Sequence, residues 1–328
     1  MFRNTRILVT GGTGSWGYEL IRQLLPQEPK EIIVFSRNES TQVAMQRSFE
    51  DNRLSFCIGD IRDREALIRA TEEVDYVFHL AALKHVPVCE EQPYEALKTN
   101  VVGTQYVIEA AIENKVKKVI YISTDKAANP SNFYGMTKAI GEKLIVQANL
   151  LRTDTKFVCV RGGNVLGTNG SVIHLFHKQI HEKNQISITD KAMTRFFLTL
   201  EEAISLLFKA SEESVGGEIF VMTMPTCKIL DLADVLIEAS GKTGVAIVET
   251  GTRPGEKIHE ILLTEFESQT TVLYDEVYLV ILPTLEIPGL KDHYAPYPKA
   301  EISSFSSKDN VMEKEAIRAL LVKGGFLA

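Results

Sequence analysis

Tyr134 and Lys138 stand four residues apart, so on a helix both project from one face. A buried tyrosine beside an ammonium favours its phenolate, and a phenolate can take a proton from a hydroxyl. Moving a tyrosine from about 10 to near 7 means about 4 kcal/mol of preferential phenolate stabilisation, within reach of a lysine and a second positive charge. The pair alone recurs by chance on many helices. Here Ser123-Thr124-Asp125-Lys126 precedes it at the end of an apolar run, adding hydroxyl, carboxylate and ammonium groups.

Near the start, Thr10-Gly11-Gly12-Thr13-Gly14-Ser15-Trp16-Gly17 follows one apolar run and opens a helical pattern. It satisfies Gly11-x-x-Gly14-x-x-Gly17 and also Gly12-x-Gly14-x-x-Gly17. Glycines there permit a tight turn and let the backbone approach a dinucleotide pyrophosphate at the helix N-terminus. The second run ends in Ser36-Arg37, where an acidic residue for the ribose hydroxyls often stands. That pair suits a 2′-phosphate and favours NADP. Gly59-Asp60-Ile61 after the third run is placed to meet the adenine, and Ala81-Ala82 after the fourth supplies small residues where the cofactor passes.

Groups so far apart in sequence need a frame that gathers them. Runs at 6–10, 31–35, 54–58, 76–80, 118–122 and 156–161 are rich in Val, Ile and Phe, as strands buried on both faces require. Amphipathic stretches at 17–25, 63–71, 95–114 and 133–150 lie between them. Repeated β-α units predict a Rossmann-like, doubly wound parallel sheet in the α/β class, with ligands at the carboxyl ends of its strands. After Arg161 the alternation stops, and Gly162-Gly163-Asn164 and Gly167-Thr168-Asn169-Gly170 mark loops. Helices at 200–210 and 230–240 flank a strand at 218–221. Residues 1–165, rejoined by about 195–222, are expected to form the NAD(P) domain. Residues 166–194 and 223–328 are expected to form a smaller substrate-binding lobe and tail.

The whole chain has 328 residues, 36 Lys+Arg and 43 Asp+Glu, for a net charge of −7. An acidic balance argues against a nucleic-acid partner, which needs a basic face. No apolar run reaches about 18 residues, so no membrane insertion is expected. Met1-Phe2-Arg3-Asn4 leads directly into an apolar run, without room for a signal peptide, and a cytoplasmic location is expected. Cys57, Cys89, Cys159 and Cys227 lie at least 32 residues apart, which fits reduced core residues better than a zinc site or disulfide scaffold. His174, His177 and His181 mimic metal spacing but lack a supporting carboxylate pattern, so no metal is expected.

Thr10–Gly17, Ser123 and Tyr134/Lys138 together resemble the extended short-chain dehydrogenase/reductase superfamily. Longer strings resemble its inverting UDP-N-acetylglucosamine 4,6-dehydratases, of the polysaccharide and pseudaminic acid type. They are Ala81-Ala82-Leu83-Lys84-His85-Val86-Pro87, Ser123-Thr124-Asp125-Lys126-Ala127, Asn164-Val165-Leu166-Gly167, Met193-Thr194-Arg195-Phe196 and Arg253-Pro254-Gly255-Glu256-Lys257. Asp125-Lys126 is the discriminating pair: retaining relatives typically place Asp-Glu there, and simple epimerases need no acid/base pair. The resemblance implies four catalytic residues, Asp125, Lys126, Tyr134 and Lys138. Tyr134 deprotonates the C4 hydroxyl, a neutral Lys126 takes the C5 proton, and a protonated Asp125 helps the C6 hydroxyl depart. A lysine brought from 10.4 to 7 shifts by roughly 4.6 kcal/mol, so burial and coupling are implied.

The resemblance further implies that Asn164, Arg195, Arg253 and Glu256 face the UDP portion, with Thr124 and Val172 beside the substrate. Lys84 and His85 line the sugar or nicotinamide side, and Asn100, Ser123 and Lys84 join the cofactor contacts. The cofactor, NADP or NAD, is regenerated each cycle and stays tightly bound, and the enzyme is a homo-oligomer, dimer or hexamer. Three departures stand out. Asn38-Glu39-Ser40-Thr41 replaces the usual Asp-Glu-Leu-Lys, which removes a 2′-phosphate contact and makes NAD plausible. Arg161-Gly162-Gly163-Asn164 carries glycine where relatives commonly have an aromatic residue, and Ser131 replaces an apolar one. Two other functions stay open: a second-step oxidoreductase/5-epimerase acting on a UDP-sugar 5,6-ene, and a non-catalytic NAD(P) sensor.

Overall fold

The computed structural model describes residues 1–151, 153–168 and 170–327; Asn169 of the loop noted above lies outside them. Six strands form the heart of the largest sheet: β1 (Arg6–Thr10), β2 (Glu31–Ser36), β3 (Leu54–Ile58), β4 (Tyr76–His79), β5 (Lys118–Thr124) and β6 (Lys156–Gly162). They lie in the order β3-β2-β1-β4-β5-β6, and every neighbouring pair is parallel. This is the order of a dinucleotide-binding sheet, a Rossmann-like α/β fold. Strand Ile219–Met222 continues it in parallel beside β6. Ile7, Leu8 and Val9 in β1 and Phe157, Val158 and Val160 in β6 are fully buried, because helices cover both faces. Helix Ser15–Leu24 buries Gly17, Leu20, Ile21 and Leu24, one stripe at helical spacing. Polar side chains start the helices that matter for the site. Asn38 caps Glu39–Phe49, Asp63 caps Arg64–Ala70, and Asn132 accepts from the Gly135 N–H at 2.8 Å to start Phe133–Ala148.

The stretch at 95–114 is not one regular helix. Helical turns Pro93–Leu97 and Gly103–Glu113 flank a π-helical segment, Lys98–Val102. That wider turn carries Asn100, whose amide accepts from the Leu83 N–H and donates to the Leu83 carbonyl, both at 2.8 Å. It also donates to Thr137 Oγ1 at 2.9 Å, tying the loop after β4 to the helix that carries Tyr134.

A second, smaller core gathers Phe176, Ile180, Ile186, Ile188, Leu232 and Leu236, closed by Leu321 of helix Lys314–Lys323. Helices Val172–Lys183 and Ile229–Ser240 and the parallel pair Gln185–Ile188 and Ala246–Glu249 build it. Strand Thr194–Leu198 is the wall between the cores: Phe196 and Leu198 point into the large one and Phe197 into the small one, the period-2 alternation of a strand. The tail departs from the division expected at 223–328. Tyr278–Ile281 and Thr271–Leu273 close the open edge of the large sheet in antiparallel fashion, and Leu262, Leu279, Val280 and Tyr294 pack into its core. An apolar run meeting an unpaired edge explains the difference. Among the described residues, no helix is long and apolar enough to cross a membrane.

Candidate active site

The turn after β1 is shaped for close backbone approach. Gly11 has φ +69°, and a Cβ there would sit 2.9 Å from Ala81 Cα; a Cβ on Gly17 would overlap the Gly12 carbonyl. Helix Ser15–Leu24 has no acidic residue in its first turn and no side-chain cap, so its N–H groups face outward for an anion. From there a cavity of about 800 Å³ crosses the carboxyl ends of the strands, lined by Thr13, Gly14, Ser15, Trp16 and Ala82 among others. At one end stand Ser36, Arg37, Asp60 and Ile61. The Asp60 carboxylate is gripped by the Arg62 guanidinium, with Nε at 2.9 Å, while the Arg37 guanidinium reaches it only at 4.0 Å and stays 58% exposed. The cradle and the open helix end fit a dinucleotide.

At the other end Ser123, Thr124, Lys126, Tyr134 and Lys138 line the wall. Burial pushes the Tyr134 phenol up to about 12, opposed by the Lys126 ammonium and by a hydrogen bond with Thr124. Lys138 is pushed down to about 7 by burial, and its Nζ lies 3.9 Å from the centre of the Tyr121 ring. Lys126 thus lends its charge to the Tyr134 phenol, while Lys138, one turn away on the same helix, lies over the Tyr121 ring. The Ser123 hydroxyl is buried with no hydrogen-bond partner among the described residues, an open donor at the nicotinamide end.

Asp125 and Lys126 differ from the neutral pair expected. Lys126 Nζ sits 2.9 Å from Asp125 Oδ1 and 3.3 Å from Glu260 Oε1. Burial works against its charge, but the two carboxylates outweigh that and hold Lys126 above the usual lysine range. Asp125 is fully buried and stands behind the wall, reaching the cavity through Lys126 and the Thr124 hydroxyl, which donates to it at 3.0 Å. The expected amine and acid are this ion pair after one proton hop, with no change in net charge.

Lys84, His85, Asn164, Val172, Arg195, Arg253 and Glu256 all face the cavity, whereas Asn100 does not. Asn100 is buried and works through Leu83 and Thr137, a positioning role in place of the cofactor contact expected. Arg195 donates to the carbonyls of Thr194 and Ile258 and lies 3.6 Å from Glu256. Residues 253–260 latch onto the chain before Tyr134. Ser131 Oγ and Asn132 Nδ2 donate to the Gly255 carbonyl at 2.9 and 3.0 Å, and Lys257 Nζ to the Ala128 carbonyl at 3.2 Å. Ser131, unusual by resemblance, is one of those anchors. His174 Nε2 meets the Gly167 carbonyl at 3.0 Å. Cys89, Cys159 and Cys227 are buried free thiols, and Cys57 is half-buried. Sequence reasoning missed Glu260; its signal was a lone glutamate shortly after Arg253–Lys257.

Residues 7–282 match the family described as polysaccharide biosynthesis protein. Over 340 aligned residues the chain is 42% identical to the UDP-N-acetylglucosamine 4,6-dehydratase (inverting) of Campylobacter jejuni, covering 99% of this chain and 100% of that one. Pen from Bacillus thuringiensis superposes with a TM-score of 0.94 at 40% identity, covering 100% of both chains. DesIV of Streptomyces venezuelae, a dTDP-glucose 4,6-dehydratase solved with NAD and TYD, gives a TM-score of 0.71 at 25% identity, over 77% of this chain and 86% of that one. The chain therefore belongs to the polysaccharide biosynthesis protein family, on the fold of the short-chain dehydrogenases/reductases.

Proposed function

We propose that this protein is a UDP-N-acetylglucosamine 4,6-dehydratase that inverts C5. The observation carrying the reading is the Asp125-Lys126 pair at the end of β5, one hydroxyl (Thr124) away from Tyr134. The 42% identity to an inverting dehydratase along the whole chain supports the substrate. A nicotinamide cofactor held along Thr13, Gly14, Ser15 and Trp16 and beside Ser123 and Lys138 would supply the hydride chemistry, acceptance from C4 and return to C6. Tyr134 takes the C4 hydroxyl proton, and Lys126 stabilises the phenolate that must form. The C4 ketone acidifies the C5 hydrogen. A proton hop from Lys126 to Asp125 then leaves an amine that removes that hydrogen, its bonding electrons entering the enolate. The proton on Asp125 reaches the departing C6 hydroxyl through Thr124, and water is lost. Once hydride has returned to C6 and regenerated the C4–C5 enolate, a solvent proton reaching C5 from the face opposite Lys126 completes the inversion.

The cofactor in this reading is NADP, because the β2 end offers Ser36 and Arg37 and no carboxylate. The reading includes a homo-oligomer in the cytoplasm. Met136 and Ile140, one turn apart and exposed on helix Phe133–Ala148, support an apolar contact there.

The test is incubation with UDP-N-acetylglucosamine, followed by mass and proton NMR. Loss of one water with a new C6 methyl and inverted C5 is expected. An alkene without a methyl means that the enzyme stops halfway. Unchanged substrate sinks the reading, and turnover of the 5,6-ene alone would then identify a second-step oxidoreductase/5-epimerase.

A further inference from the structure

We propose that Glu260 is a positioning residue for Lys126: its carboxylate holds the resting lysine as an ammonium, so that proton abstraction begins only once that charge is released. The inference rests on the dehydratase reading, in which Lys126 is the C5 base.

Glu260 is 3% exposed, and its Oε2 has no hydrogen-bond partner among the described residues. Its cationic neighbours are Lys126 at 3.3 Å, Arg195 at 3.9 Å and Lys257 at 3.9 Å, so Lys126 is the nearest. The contact is built rather than incidental. The Glu260 N–H donates to Ser307 Oγ at 2.9 Å and the Ser307 N–H returns to the Glu260 carbonyl at 2.8 Å, clamping the residue from both sides. Upstream, Gly255 and Lys257 fix residues 253–260 along the segment between Lys126 and Tyr134. Glu260 and Lys126 also share the wall of a neighbouring cavity of about 490 Å³ with Arg195, Arg253 and Glu256.

The charged and titratable groups acting on Lys126 or flanking it are Asp125, Glu260, Arg195, Lys257 and Tyr134. Two carboxylates in contact favour the ammonium, while Arg195 and Lys257 oppose it. With Glu260 neutralised, Asp125 is the carboxylate left in contact with Lys126, while Lys257 and Arg195, the latter still 3.6 Å from Glu256, keep opposing its charge, and Lys126 gives up its proton more readily. An opposite charge at this range is worth about 1–3 pH units. In the step itself the C5–H bond breaks, its proton goes to Lys126 Nζ, and its electrons enter the enolate of the C4 ketone.

That step is read alone by loss of deuterium from C5 of a 5-deuterated 4-keto sugar that still bears its C6 hydroxyl and its original C5 configuration, because that hydrogen faces Lys126 and its removal needs no prior hydride transfer. In the wild-type holoenzyme the rate of deuterium loss rises with pH along a limb set by Lys126. In Glu260→Gln the limb moves to lower pH by about one unit or more. In Glu260→Asp, whose carboxylate retreats from Lys126, it moves the same way by less. An unmoved limb in either folded variant overturns the proposal. Retention of the deuterium at every pH, in a Gln variant that still reduces its cofactor with substrate, also overturns it and makes Glu260 the base. Wild-type protein that neither reduces its cofactor nor dehydrates UDP-N-acetylglucosamine sinks the dehydratase reading, whereas normal turnover with an unmoved limb sinks only the role of Glu260.

Discussion

The indole of Trp16 lies against Gly162, its Cη2 3.5 Å from the point where a Cβ on that glycine would stand. By resemblance, relatives commonly carry an aromatic residue in the stretch Arg161-Gly162-Gly163-Asn164, and here the phosphate-binding turn brings Trp16 against it from the other side. Both residues line or border the cofactor cavity, so each limits what the other can be. Gly162→Tyr puts a second ring where the indole is and lowers cofactor affinity by about 1–3 kcal/mol, the range of overpacking. Adding Trp16→Ala makes room for the tyrosine. The double variant then recovers at least about 1 kcal/mol relative to the sum of the single changes. Cofactor titration of the four proteins measures this, and strict additivity would show that the two sites do not share one space.

Lys138 makes stability depend on pH. Burial brings its folded value down to about 7, opposed by Glu142 one turn further along the helix. Between pH 7 and 9 the unfolded chain keeps this lysine protonated while the folded chain releases the proton. The unfolded state therefore binds more protons, and stability rises with pH across that window. Relative to Lys138→Met, the cofactor-free wild type gains about 2 kcal/mol from pH 7 to pH 9. Parallel urea-unfolding stabilities of the two proteins over that range would mean that Lys138 stays charged in the fold.

The parallel sheet and the phosphate turn were legible because their signals are local and dense. Ile7-Leu8-Val9, an apolar run just ahead of the glycine turn, reads as a strand buried on both faces, and Gly11 and Gly17 stand where no Cβ fits. Tyr134 and Lys138 were legible as a pair, yet their division of labour was not. Spacing on a helix cannot show that Lys138 turns to the Tyr121 ring while Lys126 acts on the phenol from the end of β5. Asn100 carries no signal in its neighbours, since its work is done on Leu83 and Thr137, 17 and 37 residues away. Glu260 reaches Lys126 across 134 residues of sequence by way of the latch at Gly255, and only three-dimensional pairing reveals it. The tail misled for a related reason: an apolar run such as Tyr278–Ile281 fits either lobe until an open sheet edge claims it.

Arg161 ties the chain just beyond the latch, at Leu262 and Glu267, to the helix that carries Tyr134. Its guanidinium, 1% exposed, meets Glu142 at 3.0 and 2.7 Å and Glu267 at 3.1 and 2.9 Å, and donates to the Leu262 carbonyl at 2.8 Å. Removing the one cation leaves two carboxylates close together in the interior. Arg161→Met therefore destabilises the protein by about 3–5 kcal/mol, and Glu142→Gln in the same chain restores part of the loss by removing one orphaned charge. Urea unfolding measures both. A mild effect of the arginine change, below about 1 kcal/mol, would mean that water reaches the cluster.

In the proposed reading, Arg37 is the residue that would select NADP over NAD. It follows Ser36 at the end of β2, where a carboxylate would bind ribose hydroxyls and repel a 2′-phosphate. Its guanidinium is mostly exposed and only 4.0 Å from Asp60, whose carboxylate is already neutralised by Arg62 at 2.6 Å. The fork is thus available to a phosphate, and Asp60 does not present a bare negative charge beside it. The Ser36 hydroxyl, accepting from Gln42 Nε2 at 3.0 Å, keeps its own proton for a second contact. A charge-assisted bond of this kind is worth about 1.5–3 kcal/mol, so NADP binds roughly 10- to 100-fold more tightly than NAD at low salt. The advantage shrinks as ionic strength rises, because the pair is exposed. Arg37→Glu reverses the order by repelling the phosphate and offering a carboxylate to the ribose. Calorimetric titration of both cofactors against wild type and variant checks the ratio; equal affinities in the wild type would assign NAD as the resident cofactor and leave Arg37 a surface residue.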